Sequence, residues 1–276
     1  HRNMAVTMAE IQHLRKMTGA GMMDCKNALN EANGDFDKAV EIIRKKGQAV
    51  AAKREDREAS EGCVLAKTQG NYAAVVALKC ETDFVAKNEE FIALTQQILD
   101  AAIDHKPDSL EDLLNIQLPN GTVSQLIMDK IGATGEKMEL GYFEHISAPS
   151  VVSYIHMGNK LATVVGFNKE EVAENVAKDV AMQVAAMNPI SVTPDTIPSE
   201  VKEKELEIAR EKAREAGKPE NLLDRIAEGA LQKFYKESTL LQQEYVKDNK
   251  MNIEQFLKQN DKELTVTTFK RVSLNV

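Results

Sequence analysis

The chain has 276 residues, of which 43% are hydrophobic and 28% charged, proportions that are ordinary for a folded globular protein. Its 43 acidic residues outnumber its 35 basic ones, which gives a net charge of −8, and it has no tryptophan. Nucleic-acid binders normally present a basic face and aromatic stacking platforms, so we expect no direct nucleic-acid contact. No apolar run approaches the roughly 20 residues of a membrane-spanning helix, and no secretory signal pattern is present, so we expect a cytoplasmic protein without membrane contact.

Three cysteines, Cys25, Cys63 and Cys80, stand at wide spacings without a CxxC pair. These spacings match neither a zinc site nor an even-numbered disulfide framework. We therefore predict buried free thiols in a reducing compartment. We also predict that the protein has no resident metal and no cofactor.

Residues 1–48 are predicted to form a small domain of three helices. Apolar residues at helical spacing mark each helix, and turn-forming residues at 18–21 and 33–35 separate them. Basic residues just before Gly47 predict that the third helix ends at this glycine. Such a domain lies near the lower size limit for independent folding, so its core has few positions.

The second of these helices is predicted to begin after Met22 and Met23, with Asp24 as its N-cap. The two methionines would then lie in the loop between helices. We expect one of them to complete the small core. For the other, two interpretations stay open: a second core residue, or part of an adaptable contact surface.

Residues 49–60 are rich in alanine and charge and are predicted to link two domains. The first half of a larger core follows, at residues 61–145. It begins with a β-hairpin whose turn lies at residues 69–71, followed by a helix around residues 91–99. Two more helical stretches follow, the second of which is predicted to run from Thr122 through Ile131 and to be broken by Gly132 and Gly135. A strand from residue 138 to 146 completes this half.

The corner between that hairpin and the helix carries an unusual set of side chains. The run from Cys80 to Lys87 (CETDFVAK) places an acid, an aromatic ring and a lysine where side chains can project from a rigid frame. Two interpretations are open. Either Phe84 covers the local core while Asp83 caps the next helix, or both side chains project outward to contact another molecule.

An internal repeat bears on this choice. A turn at residues 158–159 lies between two strand-like segments, the second of which leads into a helix, as around residues 70–71, 88 residues earlier. The pattern predicts an α+β fold with a duplicated core and antiparallel sheets, whose second half comprises residues 146–192 and 238–276. Residues 168–170 (NKE) replace Thr-Asp-Phe at the second corner. The element present only in the first copy is the better candidate for function.

Residues 193–237 are predicted to form an antiparallel helical hairpin inserted into the second half. Dense, balanced charge and narrow apolar stripes on both helices are typical of a coiled coil. The stripe residues are Val201, Leu206, Ala209 and Ala213 on one helix and Leu223, Ala227, Ala230 and Phe234 on the other. Three roles are open for this arm: holding a partner, self-association, or simple projection.

Two segments of the chain resemble the bacterial elongation factor Ts (EF-Ts) family. Residues 14–29 (LRKMTGAGMMDCKNAL) match its amino-terminal motif, and residues 81–87 (ETDFVAK) match its core motif. The resemblance extends over nearly the whole chain and implies a ubiquitin-associated-like (UBA-like) three-helix domain, a duplicated core and an inserted helical hairpin. It also implies a guanine-nucleotide exchange factor for elongation factor Tu, which disrupts the Mg²⁺ and phosphate site and promotes GDP release without itself being an enzyme.

The resemblance also implies which residues contact the partner. In the core motif these are Thr82, Asp83, Phe84 and Val85: the ring of Phe84 inserts into the nucleotide-binding domain, and Asp83 disturbs the network around Mg²⁺. The further contact residues are Arg15, Met22, Met23, Ala86, Lys87, Ile131, Gly132 and His156. For His156 a role as a turn residue stays equally open.

Two other classes of protein compete with this interpretation. An adaptor with a UBA-like head and a helical arm would recruit a protein without altering nucleotide affinity, but it leaves Asp83 and Phe84 without a role. A hydrolase or thiol enzyme requires a convergent nucleophile and base, which the sequence does not show. Cys80 is a poor nucleophile candidate, because we expect the adjacent Glu81 to raise the pKa of its thiol.

Overall fold

The computed structural model describes residues 5–274 of the chain. Over this range helices and antiparallel sheets are mixed, which confirms the predicted α+β class. Within residues 5–274, no helix is both long enough and apolar enough to cross a membrane.

The amino-terminal part is helical. Its helices are α1 (Met8–Thr18), α2 (Met22–Glu31) and α3 (Phe36–Lys53). A capping box between Thr7 and Glu10 starts α1, and Gly19, at a φ of 71°, ends it. Buried apolar residues of all three helices form one small core, in which Leu14 and Leu29 are fully enclosed.

The first half of the core follows as a three-stranded sheet with helices on one face. In chain order its elements are β1 (Glu61–Gln69), β2 (Tyr72–Cys80), α4 (Asp83–Ala86), α5 (Glu89–His105), α6 (Leu110–Leu114), β3 (Gln117–Leu118), β4 (Gly121–Thr122), α7 (Val123–Thr134) and β5 (Met138–Ser147). The sheet order is β1-β2-β5, and both pairings are antiparallel.

The second half repeats this arrangement around an insertion. In chain order its elements are β6 (Ser150–Ile155), β7 (Leu161–Phe167), α8 (Glu174–Met187), the projecting helices α9 (Ser199–Glu215) and α10 (Leu223–Ser238), then β8 (Glu244–Tyr245), β9 (Asp248–Asn252), α11 (Ile253–Asn260) and β10 (Val266–Ser273). The sheet order is β10-β7-β6, again fully antiparallel.

The two halves correspond beyond the hairpin and helix that the sequence repeat predicts. In each half a two-stranded ribbon, β3-β4 or β8-β9, leads into a helix, and the last strand pairs with the second strand of the hairpin. Both helices after the ribbons, α7 and α11, begin with a capping box, Thr122 with Gln125 and Asn252 with Gln255.

The two sheets face each other, and helices cover their outer faces. Small and branched side chains meet between the sheets, including Val64 and Val75 from the first and Ala162 and Val164 from the second. Alternate residues of the same strands point outward, toward α5 and α7 in one half and toward α8 and α11 in the other. The central strand β2 is thus packed between the helices on one face and the second sheet on the other, up to the corner at Cys80.

Two predictions about the helical part are wrong. Helix α2 begins at Met22 with Gly21 as its N-cap, so Asp24 is not the cap and the methionines lie in the first helical turn. Met22 and Met23 are 42% and 65% exposed, and neither completes the core. Ala20 occupies the buried position at this end of the helix instead, because the tight turn after Gly19 directs the alanine inward.

Helix α3 does not end at Gly47, and Gly132 does not break α7. The two helices cross at these glycines. A Cβ on Gly47 would lie 2.3 Å from the carbonyl oxygen of Met128, and one on Gly132 would lie 3.0 Å from the Cα of Gly47. Both glycines therefore serve close helix packing, and α3 runs unbroken across the predicted boundary between residues 48 and 49.

Helices α9 and α10 run antiparallel as a projecting pair. Arg214 and Glu220 pair at 3.1 Å near the tip, and Lys202 lies 5.7 Å from the ring centroid of Tyr235 near the base. The buried stripe of α10 is Leu223, Ala227, Leu231 and Tyr235. The predicted stripe is wrong at Ala230, which is exposed because α10 keeps an i, i+4 spacing, whereas Phe234 is half-buried and packs against Leu231 and Tyr235.

Candidate partner-binding site

The corner after β2 is a single helical turn, α4, with a side-chain cap. Thr82 is its N-cap, and the Thr82 hydroxyl oxygen accepts a hydrogen bond from the backbone amide of Val85 at 3.3 Å. Asp83 is the first residue of the turn, so the interpretation that made Asp83 the cap is wrong. Its carboxylate is consequently left available at the surface, 3.7 Å from the Lys87 ammonium.

The turn α4 has an anchored face and an exposed face. Val85 is half-buried and Ala86 buried against the core, whereas Asp83, Phe84 and Lys87 are exposed. The Phe84 side chain is 88% exposed, so it does not cover the local core. A large aromatic ring held in water on a fixed backbone is typical of an anchor for another protein.

The carboxylates of Glu136 and Glu81 fix the backbone of the corner through hydrogen bonds. Glu136, in the loop before β5, accepts hydrogen bonds from the backbone amides of Glu81 at 3.1 Å and Thr82 at 3.0 Å and from the Thr82 hydroxyl at 2.6 Å. The Glu81 carboxylate in turn accepts from Arg54 Nε at 3.1 Å and from the Lys137 amide at 2.7 Å. Sequence reasoning missed Glu136, which looks like an ordinary loop carboxylate.

Cys80 lies beneath the corner as a buried thiol. Its sulfur donates to the Thr82 carbonyl at 3.2 Å. Burial and, to a smaller extent, the nearby Glu136 and Glu61 together raise the pKa of Cys80 to about 12, whereas Glu81, expected to raise it, is not among the causes. All three cysteines are buried and free, as predicted. A thiol held protonated in this way disfavours the thiol-enzyme interpretation.

The amino-terminal helices meet the corner at a cleft of about 380 Å³. One wall is the loop from Gly19 to Gly21 together with Arg15, and the other is Phe84 and Val85, with Lys130 at the base. The two segments that carry the family resemblance therefore face each other, although they are distant in sequence. Met22 and Met23, both exposed, directly follow this loop in the chain.

Besides Ala86, two of the predicted contact residues lie inside the fold. Ile131 is buried in the first core, and Gly132 packs against Gly47 of α3. Lys130, Ala133 and Thr134 of the same helix line the cleft instead. The structure thus does not bring the Ile131 side chain to the surface of the site.

His156 is exposed in the turn between β6 and β7. Its Nδ1 lies 2.8 Å from the Tyr154 hydroxyl, and its backbone amide donates to the Leu161 carbonyl at 2.8 Å. Lys160 of the same turn pairs with Glu61, which lies opposite Cys80 in the β1-β2 register. The turn therefore lies at the same end of the core as α4, and both interpretations of His156 stay open.

The exposed groups at this end of the molecule suit binding better than covalent chemistry. They comprise an aromatic ring, a carboxylate, two methionines and basic side chains on short, well-anchored segments. Within residues 5–274 there is no cluster of three or more His, Cys, Asp or Glu side chains that could hold a metal ion. The arrangement can wedge an apolar ring into a partner and bring a negative charge alongside it.

Comparison with known proteins gives a consistent result. A family model described as "Elongation factor TS" matches residues 81–275. The elongation factor Ts of Porphyromonas gingivalis strain W83 is 64% identical over 273 residues, which cover 99% of each chain. That of Azobacteroides pseudotrichonymphae is 55% identical, over 99% of this chain and 100% of its own. That of Bacteroides fragilis strain YCH46 is 47% identical over 98% of this chain and 99% of its own.

Proposed function

The chain belongs to the elongation factor Ts family and is a nucleotide exchange factor of translation elongation; we propose that it binds elongation factor Tu·GDP and promotes release of the GDP. Such a factor needs no covalent chemistry. It binds the nucleotide-free GTPase more tightly than the GDP form, and by thermodynamic reciprocity it weakens GDP binding by the same factor. The role implies a cytoplasmic protein that is not itself an enzyme.

The observation that supports this mechanism best is the exposed ring of Phe84 on its anchored turn. We propose that the ring inserts into the nucleotide-binding domain of elongation factor Tu. The bound Mg²⁺ is the largest local positive charge in a GTPase site, so a carboxylate placed near its supporting network competes for it. Asp83, adjacent to Phe84, would supply that carboxylate, while Thr82 and Val85 hold both side chains in place.

The residues around the cleft would supply the remaining direct contacts. Arg15, Met22, Met23 and Lys87 are all exposed, and Arg15 lies across the cleft from Phe84. Methionine side chains adapt their shape to a partner, and a basic residue can pair with an acidic one at the rim of an interface. We propose these four as contacts that bind the partner without displacing Mg²⁺.

Three further residues would act through packing. Ala86 is the buried residue of α4, and Ile131 and Gly132 set the position of α7 beside the cleft. We propose that they keep the contact surface in place and do not touch the partner with their side chains. For His156 we propose a direct contact, since it is exposed at the end of the core that carries α4.

We also propose the division of the chain into domains that the family resemblance implies. It comprises a UBA-like domain at residues 1–48, a linker at 49–60, a core at 61–145 joined by 146–192 and 238–276, and a coiled-coil hairpin at 193–237. An apolar groove on the hairpin, lined by Ile208, Ala209 and Ile226, supports a role for the hairpin in self-association.

The test is the release of a fluorescent GDP analogue from elongation factor Tu, followed by stopped flow. We expect a large acceleration by the wild type and at least a tenfold loss in Phe84→Ala or Asp83→Ala. Both side chains are exposed, so the unfolding temperature should stay unchanged. Val246→Ala, at an exposed apolar side chain in the second half, is the matched control and should behave as wild type.

The outcomes separate the hypotheses. If the wild type binds elongation factor Tu but accelerates nothing, exchange activity is excluded and the adaptor interpretation replaces it. If the wild type accelerates release and both variants match it, the function stands and the assignment of Asp83 and Phe84 is wrong.

A further inference from the structure

We propose that Glu136 is a positioning residue for nucleotide exchange, which fixes the corner so that α4 presents Phe84 and Asp83 in one orientation. The inference rests on the proposed function of those two side chains. Glu136 lies outside both segments that carry the family resemblance and contacts neither Phe84 nor Asp83 in the hydrogen-bond network of residues 5–274. Its effect would be transmitted through Thr82.

Consecutive hydrogen bonds connect Glu136 to α4, the turn that carries the exposed ring. One carboxylate oxygen accepts from the amides of Glu81 and Thr82, and the other accepts from the Thr82 hydroxyl at 2.6 Å. The same hydroxyl oxygen accepts from the Val85 amide at 3.3 Å, which closes the first turn of α4. Hydrogen bonds to an ionised carboxylate are stronger than neutral ones, so Glu136 fixes both the backbone of the corner and the rotamer of its cap.

Helix α4 needs such support because it is so short. It has four residues, and an isolated helix of this length is unstable in water. Its apolar anchors are Val85 and Ala86, while Asp83, Phe84 and Lys87 point to solvent. Without the bonds from Glu136, ordering the turn on the partner would cost conformational entropy that weakens the wedge.

The second half of the core provides an internal comparison. There the corner residue Asn168 bonds directly to the chain before β10: its amide donates to the Thr265 carbonyl at 3.1 Å, and its side chain donates to the Glu263 carbonyl and accepts from the Thr265 amide, both at 2.8 Å. Between β7 and α8 this corner carries no helical turn. In the first half the Glu136 side chain, just before β5, makes the corresponding bonds to the corner, which carries the turn α4.

The first experiment measures the corner without any partner. Amide hydrogen exchange, resolved by NMR, is compared in the wild type, Glu136→Ala, Glu136→Gln and the matched control Glu139→Ala, whose carboxylate lies on β5 and pairs with Lys79. We expect the amides of Glu81, Thr82 and Val85 to exchange roughly 10 to 100 times faster in Glu136→Ala, the range for losing hydrogen bonds to a charged group. Glu136→Gln keeps an acceptor oxygen and should stay close to wild type, as should the control.

The second experiment links the corner to exchange activity. The maximal rate of GDP release is measured for Glu136→Ala, Phe84→Ala and the double variant. Because Glu136 acts through Phe84 and Asp83, its loss should cost about tenfold in the wild-type background and clearly less when Phe84 is already absent. Glu136→Gln should restore most of the rate.

Each result decides something. Unchanged amide exchange in Glu136→Ala overturns the positioning role, and so does an equal loss of rate in both backgrounds, which indicates general destabilisation. If Phe84→Ala accelerates GDP release as well as the wild type does, the proposed function of the ring fails, and so does the role of Glu136 in exchange. Faster amide exchange in Glu136→Ala would then still show that Glu136 orders the turn.

Discussion

Asp129 is a carboxylate in the interior of the molecule, and its side chain is 1% exposed. One of its oxygens accepts from Arg44 Nε of α3 at 3.3 Å, and the other has no hydrogen-bond partner. Burial raises the pKa of Asp129 to about 6, although Arg44 and Lys130 act in the opposite direction. An ionised group with one unpaired oxygen in this position costs stability at neutral pH.

The free energy of unfolding should therefore depend on pH through the titration of Asp129. A carboxyl whose pKa is raised in the folded state stabilises the fold below its unfolded pKa of about 4, and this stability is lost as the pH rises through about 6. Between pH 5 and pH 7.5 the wild type should lose about 1 kcal/mol relative to Asp129→Asn, which does not titrate. Urea unfolding of both proteins at the two pH values measures this, and a constant difference would contradict it.

Single side chains differ in how far the sequence predicts them. The outward projection of Phe84 and Asp83 was predictable because an aromatic ring and an acid at a strand-to-helix corner are unusual. The second copy of the repeat also lacks them. Glu136 was not predictable, since its hydrogen-bond partner Thr82 lies 54 residues away. Ile131 was assigned from the resemblance alone, and its side chain is buried, whereas Lys130, Ala133 and Thr134 of the same helix line the cleft.

At the scale of helices, two wrong predictions have one physical cause. Gly47 follows basic residues like a helix C-cap, and Gly132 resembles a helix breaker. In the structure they meet at the crossing of α3 and α7, where the absence of side chains lets the backbones approach. A single sequence cannot distinguish a glycine that ends a helix from one that packs against another helix, because the partner helix is 85 residues away in the chain, as the Arg44–Asp129 pair shows.

A pair of glycine substitutions tests this interpretation. In Gly47→Ala the new methyl group meets the carbonyl of Met128, so we expect a loss of about 1–3 kcal/mol, as for overpacking in a tight core. The control, Gly229→Ala, lies inside α10 with nothing within 4 Å of the new methyl. It should gain about 0.5–1 kcal/mol from helix propensity.

Denaturant unfolding of the two variants gives the free energies directly. A loss of stability in both variants would mean that an alanine is unfavourable in either helix, so the loss in Gly47→Ala could not be assigned to the crossing of α3 and α7. A gain in both would mean that α3 and α7 can move apart at little cost, and the close crossing would then not explain why α3 carries a glycine.

At the scale of the whole molecule, the repeat made the hairpin and the following helix of each half predictable, but not the ribbon. Each half is a hairpin, a helix, a ribbon, a second helix and a final strand, and the turns at residues 70–71 and 158–159 mark corresponding points. How the halves pack could not be read from periodicity, because strands buried on both faces, such as β2, read as continuous apolar runs. The insertion between α8 and β8 was recognisable from its charge and narrow stripes.

The insertion is joined to the core at one place, which allows it to be removed. The Ile190 amide donates to the Ser238 carbonyl at 2.8 Å, and the Leu240 amide donates to the Ser191 carbonyl at 2.9 Å, so the chain leaves and returns at adjacent points. We expect a variant with residues 193–237 replaced by a short Gly-Ser linker to keep a cooperative core, because closing a short loop costs little entropy. Thermal unfolding followed by circular dichroism measures this.

The same variant separates the hairpin from the exchange site. Glu136 and Glu81 hold the corner from within the first half, so acceleration of GDP release should survive the deletion. Sedimentation equilibrium of both proteins tests self-association: if the apolar groove around Ile208 joins two copies, the deletion variant stays monomeric at concentrations where the wild type dimerises. A folded variant that no longer accelerates GDP release would contradict this division, since it would mean that the hairpin itself acts on elongation factor Tu.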